Sequence, residues 1–521
     1  VLALGFVACT TGSVMNARFH GLLPHGVRRT AETLAQKMQW DVASLASKRT
    51  PLPDDIVHDV DDRDEYGLLT FHAQCAALRR SGRDPGWPLR DPSVDTLDGL
   101  DRLGFPDATQ LCEAMDNLPR TLRVYTHKQG LETRRRYNTA RLAPTFNRGY
   151  DIEEHIVTHV QRGPFAETNV SRANAFLIPA RPYLERVAAF PRDGREAQLA
   201  GVREMVNEIK KIDGDAWAAA GEGCGRIMVS AHDTGTFAAS EADPIVRQKA
   251  VFITANADTT TDAQRLEAEV KWRSDEGDAK FGYRNTESFV SNDKDVAAVC
   301  SLSFHLPKDA VASGAMRPVF IADPSKNANT VNAMDERPIE MSFRGTLRGG
   351  VRNRIFGHYL HSDTLDLASM RWDLQADGPV SPKRYTSLMR DSKFCLHVRG
   401  TRVQSPRLIE GMMFGCVPVI LADGYELPMS WLFDWSKFSI RLPEIEYRRL
   451  PDVLAQADWS ALHDNLRKVL PFFVYHEAPI PGDAFWTTML QTQRQITRGR
   501  ACVRGVGAPD DGELEGDNKS P

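Results

Sequence analysis

With 521 residues, 42% of them hydrophobic and 26% charged, the chain is long enough to bury two cores. Its formal net charge of -4 gives no electrostatic reason to expect nucleic acid as a partner. The eight cysteines include no CxxC pair, which argues against a zinc site.

Val1 to Thr10 is an apolar run of about signal-core length, too short on its own to span a bilayer, and reads as the remnant of a signal anchor or signal peptide. Residues 1–118 are expected to form a mostly helical extension, a stem or packing element without a catalytic motif. Its helices fall near Thr30–Lys48 and Tyr66–Arg80, separated by the acidic Pro51–Asp64 and followed by the turn-rich Ser81–Ser93.

A first domain is expected over 119–325. Leu122–His127 reads as a strand, and a helical segment after Tyr150 leads to another at Ala175–Pro179. Gln198–Ile212 reads as a helix, and Arg226 begins a strand ending in His232 and Asp233. Val251–Ala255 is a further strand, and the polar Thr259–Glu287 reads as helix plus loop. A histidine beside an aspartate at a strand end can orient an acceptor or move a proton, although a histidine there is more often structural. The irregular Ala312–Glu336 marks the domain boundary.

The second domain, 326–498, opens with a strand at Ile339–Phe343, a glycine-containing turn at Arg344–Gly350 and a helix at Val351–Tyr359 that carries Arg352 and Arg354. Its centre is Ser392–Asp423, where Lys393–Val398 is apolar and β-prone, Pro406–Met413 has helical spacing and Val417–Ala422 is a second apolar run. Ser405 suits an N-cap, Pro406 the first helical position and Gly415 a left-handed helix stop. Neither strand alternates with polar residues, the signature of a parallel sheet covered on both faces. Trp431–Arg441 then ends the sheet, Leu454–Leu470 is helical, and Asp483–Arg498 is the last helix. The tail, 499–521, is dominated by Gly, Asp, Glu and Pro and is expected to be disordered. Sequons stand at Asn169 and Asn518. Cys395 and Cys416 lie in apolar runs and are expected to be buried thiols, while the other six cysteines are free to pair in an oxidising lumen.

A parallel strand–helix–strand unit opens a crevice where its first strand ends, here at Arg399 and Gly400. Gly400 permits close approach of a ligand, Arg402 and Arg407 add positive charge, and the N–H groups behind Ser405 suit an anion. Glu410 lies where a carboxylate can accept hydrogen bonds from a sugar diol. Together these suit a nucleoside diphosphate.

The same stretch resembles the C-terminal signature of the exostosin family, glycosyltransferase family 47. The resemblance is carried by Ser392 to Leu396, Gly400, Ser405, Arg407, Glu410, Gly415, Cys416, Pro418 and Val419, and then by Asp423, Glu426, Leu427, Pro428, Asp434, Trp435, Phe438 and Ser439. Phe343, Gly345, Arg348, Gly349 and Arg352 are similar to a second family segment. Tyr150, Glu153, Phe165, Ala173, Phe176 and Pro179 resemble its N-terminal signature. The chain departs from the pattern at Val398, at Ala166–Glu167 in place of an Arg–Thr pair, and in lacking the second Asp–His before His232.

The resemblance implies an α/β fold of the GT-B type, two Rossmann-like domains facing a cleft. It implies an inverting glycosyltransferase acting in the Golgi or endoplasmic reticulum lumen as a type II anchored protein. A nucleotide sugar, in all expectation a UDP-sugar, is then the donor, and a glycan or glycoprotein the acceptor. No metal or other cofactor is expected, because Arg348, Arg352, Arg399 and Arg407 with Gly400 and the helix end at Ser405 supply the charge that a leaving diphosphate needs. Glu410 is assigned to the ribose. The base is left open among Glu426, Glu153 and the pair His232–Asp233, with Glu426 preferred because its loop follows the strand facing the donor. The alternative is a catalytically silent partner subunit in a homo- or hetero-oligomer with another glycosyltransferase. A sugar-nucleotide epimerase is disfavoured, since no GxGxxG follows the first strand.

Overall fold

The computed structural model describes residues 70–90 and, with short interruptions, 105–260, 294–300 and 337–498. The expected helix at Thr30–Lys48, the boundary at Ala312–Glu336, the tail, and the site candidates Arg348 and Asp233 lie outside the described residues.

The extension supplies two helices. In α1 (Phe71–Ser81), Thr70 accepts a hydrogen bond from the Ala73 N–H at 3.2 Å, a polar cap that sets the start later than Tyr66. In α2 (Ala108–Thr121), Asp107 caps in the same way through Gln110, and Pro119 is accommodated in the last turn. A disulfide between Cys75 and Cys112 joins the two helices.

Then follow β1 (Val124–Thr126), α3 (Leu131–Arg141), α4 (Ile152–Arg162), β2 (Ala166–Glu167), β3 (Ala175–Ile178), α5 (Pro182–Ala189), α6 (Gly194–Ile212), α7 (Gly214–Ala219), β4 (Arg226–Ser230), β5 (Val251–Thr254) and β6 (Val296–Ala297). The six strands form one parallel sheet ordered β2-β1-β3-β4-β5-β6. Every residue of β3, β4 and β5 is buried, which is why none of them alternates in polarity.

The second half runs β7 (Ile339–Gly345), α8 (Gly350–Leu360), β8 (Trp372–Ala376), α9 (Pro382–Asp391), β9 (Ser392–Val398), α10 (Arg407–Met413), β10 (Val417–Leu421), β11 (Ile440–Arg441), α11 (Leu450–Gln456), α12 (Trp459–Val469) and α13 (Ala484–Arg498). Its five strands are all parallel and ordered β11-β10-β9-β7-β8. The expected helix at Leu454–Leu470 is in fact two, because Asp458 takes non-helical angles and caps α12 through the Ala461 N–H. Gly415 ends α10 with φ of 69°, and the Gly415 and Cys416 N–H groups turn back to Met412 and Gly411.

Two features position the site. Each sheet reverses its winding once, between β1 and β3 in the first and between β7 and β9 in the second, and ligands of such sheets bind at the carboxyl ends of the strands flanking the reversal. The first and last described segments also cross over. Phe71 and Trp87 pack on Phe472 of the second half, while α13 lies against β5, β6 and α2 of the first, with Gln495 donating to the Asp295 carbonyl at 3.2 Å. One continuous apolar core therefore runs through both halves. At about 1.5–3 kcal/mol for each fully buried large apolar side chain, residues such as Phe343, Leu396 and Phe472 carry much of its stabilisation.

Candidate active site

At the reversal in the second sheet, Gly345 ends β7 and Val398 ends β9. Two arginines lie over these strand ends. Arg352, from the first turn of α8, donates through Nε and Nη2 to the Val398 carbonyl at 3.0 and 2.9 Å and through Nη1 to the Thr346 carbonyl at 3.0 Å. Arg407, at the start of α10, donates through Nε to the Arg344 carbonyl at 2.6 Å and through Nη1 to the Ser405 hydroxyl at 3.3 Å. Their guanidinium carbons stand 5.6 and 4.6 Å from the centre of the Phe343 ring.

A glycine lies beneath each. A Cβ at Gly345 would come within 2.5 Å of the Arg407 guanidinium, and one at Gly400 within 2.8 Å of the Arg352 guanidinium. The room that Gly400 leaves is occupied by the Arg352 guanidinium. Among the described residues neither arginine meets a carboxylate, although Arg352 is 7% exposed. Burial, and then the like charge of Arg407, pull Arg352 down to about 9. Two neighbouring cations held by carbonyl oxygens suit an anion with several oxygens.

Arg399 is placed differently. Its Nε donates to Glu444 at 2.7 Å, its Nη1 to Asp258 at 3.3 Å and its Nη2 to the Asp423 carbonyl. Two carboxylates neutralise it, so the expected direct grip on a diphosphate is not formed in this conformation. Pro406 takes helical angles and Ser405 stands just before it, but the Ser405 hydroxyl accepts from Arg407 instead of capping a backbone N–H. With only seven residues, α10 also offers a weak dipole, so the arginines and not the helix end supply the positive charge.

Glu410 is buried in α10 and accepts a hydrogen bond of 2.6 Å from the Tyr385 hydroxyl. Beneath it lies a disulfide between Cys395 and Cys416, where two free thiols were expected. Parallel pairing of β9 with β10 sets Pro418 beside Cys395, and Cys416, just before β10, has its Cα 5.6 Å from that of Cys395. Gly411 of α10 rests on this bridge. Cys300 is a buried free thiol.

The expected bases fall in separate places. Glu426 lies on the loop after β10, half-buried, with its N–H donating to Ala257 of the first half at 2.9 Å and its carboxylate accepting from Ser430. Glu153 is 2% exposed, and its two oxygens accept the Tyr183 and Ala231 N–H groups at 2.9 Å each. Burial, opposed by those donors and by Arg181, lifts its carboxyl to about 8. Its carboxyl is an internal staple between α4, α5 and the end of β4. His232 lies in a ring cluster, 5.8 Å from and nearly parallel to Tyr183 and 5.0 Å from Tyr150. Burial, then the charges of Arg186 and Arg402, pull it down to about 3, so its ring stays neutral near pH 7 and is a weak proton acceptor.

The residues that sequence reasoning missed are the partners. Asp258 and Glu444 secure Arg399, Tyr385 secures Glu410, and at the reversal of the first sheet Asp213 lies 3.1 Å from the buried His127. No local spacing announces a partner 141 residues away.

The family model described as the Exostosin GT47 domain matches residues 118–457. A probable glycosyltransferase of Arabidopsis thaliana is 22% identical over 418 residues, 79% of this chain and 67% of the relative. A probable glucuronoxylan glucuronosyltransferase of the same plant is 36% identical over 119 residues, covering 22% of this chain and 25% of the relative, and an exostosin-1 homolog of Caenorhabditis elegans is 28% identical over 155 residues, covering 26% and 40%. In three further curated plant relatives the matched stretch spans 30%, 31% and 41% of their length. Among solved structures, a glycotransferase of kitacinnamycin aligns over 72% of this chain and 98% of its own at 13% identity, with a TM-score of 0.25. With more than half of its residues matched by the family model, and with the two parallel-sheet halves of the GT-B type, the chain belongs to the exostosin GT47 family of glycosyltransferases.

Proposed function

We propose that the chain transfers a sugar from a UDP-sugar to a glycan or glycoprotein acceptor by direct displacement with inversion. The observation that carries this reading is the pair Arg352 and Arg407, set around Phe343 at the reversal of the second sheet and free of carboxylate partners among the described residues. The diphosphate docks on these two cations, the ribose diol faces Glu410, and the negative charge that grows on the leaving group is met by guanidinium groups already in place. Since one relative is a probable glucuronoxylan glucuronosyltransferase, UDP-glucuronate is the first donor to test, followed by UDP-galactose, UDP-xylose and UDP-arabinose.

Of the expected bases, Glu426 alone combines partial exposure with a place on the loop between the halves, and it is proposed for that role. The two buried disulfides support maturation in an oxidising compartment such as the Golgi or endoplasmic reticulum lumen. Among the described residues no helix is long and apolar enough to cross a membrane. A second reading, a catalytically silent partner of another glycosyltransferase, is favoured by the withdrawal of Glu153 and the neutral His232 from base chemistry. Calorimetry with UDP and mass analysis of transfer with the donor panel separate the two. The transferase reading expects UDP binding that Arg407→Ala or Glu410→Ala weakens about tenfold or more, together with sugar transfer. Unchanged UDP affinity in both variants would remove the site, and UDP binding without hydrolysis or transfer of any donor would favour the silent partner.

A further inference from the structure

Besides the shared core, the halves meet along a zipper of backbone and charge. The loop after β5 lies along the loop after β10: the Thr259 N–H donates to the Gly424 carbonyl at 2.8 Å, Glu426 donates to Ala257, and Asp258 bridges Tyr425. Gly424, with φ of 72°, leaves its Cβ position to Thr260. At the end of this zipper Asp258 reaches across to Arg399. That contact, at 3.3 Å, is looser than the 2.7 Å bond from Arg399 to the fully buried Glu444. The next residue, Gly400, lies directly on the Arg352 guanidinium, so Arg399 leaves the chain beside a residue packed on the proposed diphosphate site.

Resting on that reading of the site, we propose that Asp258 is a stand-in for the donor's diphosphate. It occupies Nη1 of Arg399 until a diphosphate oxygen displaces it, while Glu444 keeps Nε and holds the side chain in place. The exchange is isoelectric, one anionic oxygen for another, and no covalent bond changes. It couples the donor to the relative placement of the halves, because the carboxylate that departs belongs to the first half and the arginine it leaves belongs to the second. Asp258 is thus an intramolecular competitor, which lowers donor affinity and ties donor arrival to a loosening of the zipper.

The test is calorimetry with UDP alone on the whole chain. Asp258→Asn removes the competing charge and is expected to bind UDP about tenfold more tightly. A purely structural Asp258 predicts unchanged or weaker binding with a lowered melting temperature. Arg399→Ala is expected to weaken UDP, and adding Asp258→Asn to it to change nothing further; an unaltered tightening in that background would overturn the exchange. Asp258→Glu, which keeps the charge, is the folding control and is expected to leave UDP affinity within about threefold of wild type. Unchanged or weaker binding in Asp258→Asn, with wild-type UDP binding intact, overturns this inference alone. Absence of UDP binding by the wild type overturns the site itself, and the inference with it.

Discussion

Arg352 illustrates how a single buried cation constrains function. Its charge is held by three donations to two carbonyl oxygens and depressed by burial and by Arg407, so it titrates near 9 instead of far above. A bound anion favours the charged form. UDP affinity is therefore expected to be level from about pH 7 to 8 and to fall as pH rises through 9; the fall should vanish in Arg352→Gln, which carries no titrating group, and move to lower pH in Arg352→Lys, whose ammonium gives up its proton more readily. Calorimetry across that range checks it. Glu153 has the opposite consequence. Its carboxyl, lifted from 4.5 to about 8, binds a proton more tightly in the native state than in the unfolded chain. Its stabilising share is thus present below about pH 4.5 and is lost as pH rises towards 8. Thermal unfolding should show a declining melting temperature over that window, with a shallower decline in Glu153→Gln. Glu153→Ala, which orphans the Tyr183 and Ala231 N–H groups, is expected to cost about 2–4 kcal/mol.

At the level of elements, β9, α10 and β10 form one mechanical unit. The Cys395–Cys416 bridge closes a loop of 21 residues beneath the helix that presents Arg407 and Glu410. In the chain-entropy picture a loop of that size is worth about 3 kcal/mol. The double change Cys395→Ser and Cys416→Ser should lower stability by about that amount and weaken UDP binding, since Gly411 loses its seat on the bridge; chemical denaturation and calorimetry measure the two effects separately. This unit was also the most legible part of the chain, because uninterrupted apolar runs, Pro406 and Gly415 mark it locally. The same signals failed where structure is decided at long range. The two-residue strands β2 and β6 carry no periodicity at all, the bridge required parallel register before its two sulfurs could meet, and the Ser405 hydroxyl, placed as a cap, is taken by Arg407. In the site, the arginines and Glu410 could be read from their segment, whereas Asp258, Glu444 and Tyr385 could not, since each acts by a contact made only once the halves are folded together.

On the scale of the whole molecule the two halves share a core that neither owns. The first described helix is anchored by Phe71 and Trp87 to Phe472, and the last crosses back to β5, β6 and α2. Each half is thereby completed by a segment from the other's end of the chain, an arrangement resembling a strapped parcel more than two beads on a string. Cutting the gene at the gap between the sheets should therefore yield two products that aggregate when made alone. Co-expression should return soluble material that purifies as a complex, while a soluble monomeric fragment of either kind would contradict the shared core. For anyone hoping to swap donor preference by grafting one half onto a relative, α1 and α13 must travel with the partner they cover, not with the neighbour they follow in the reading frame.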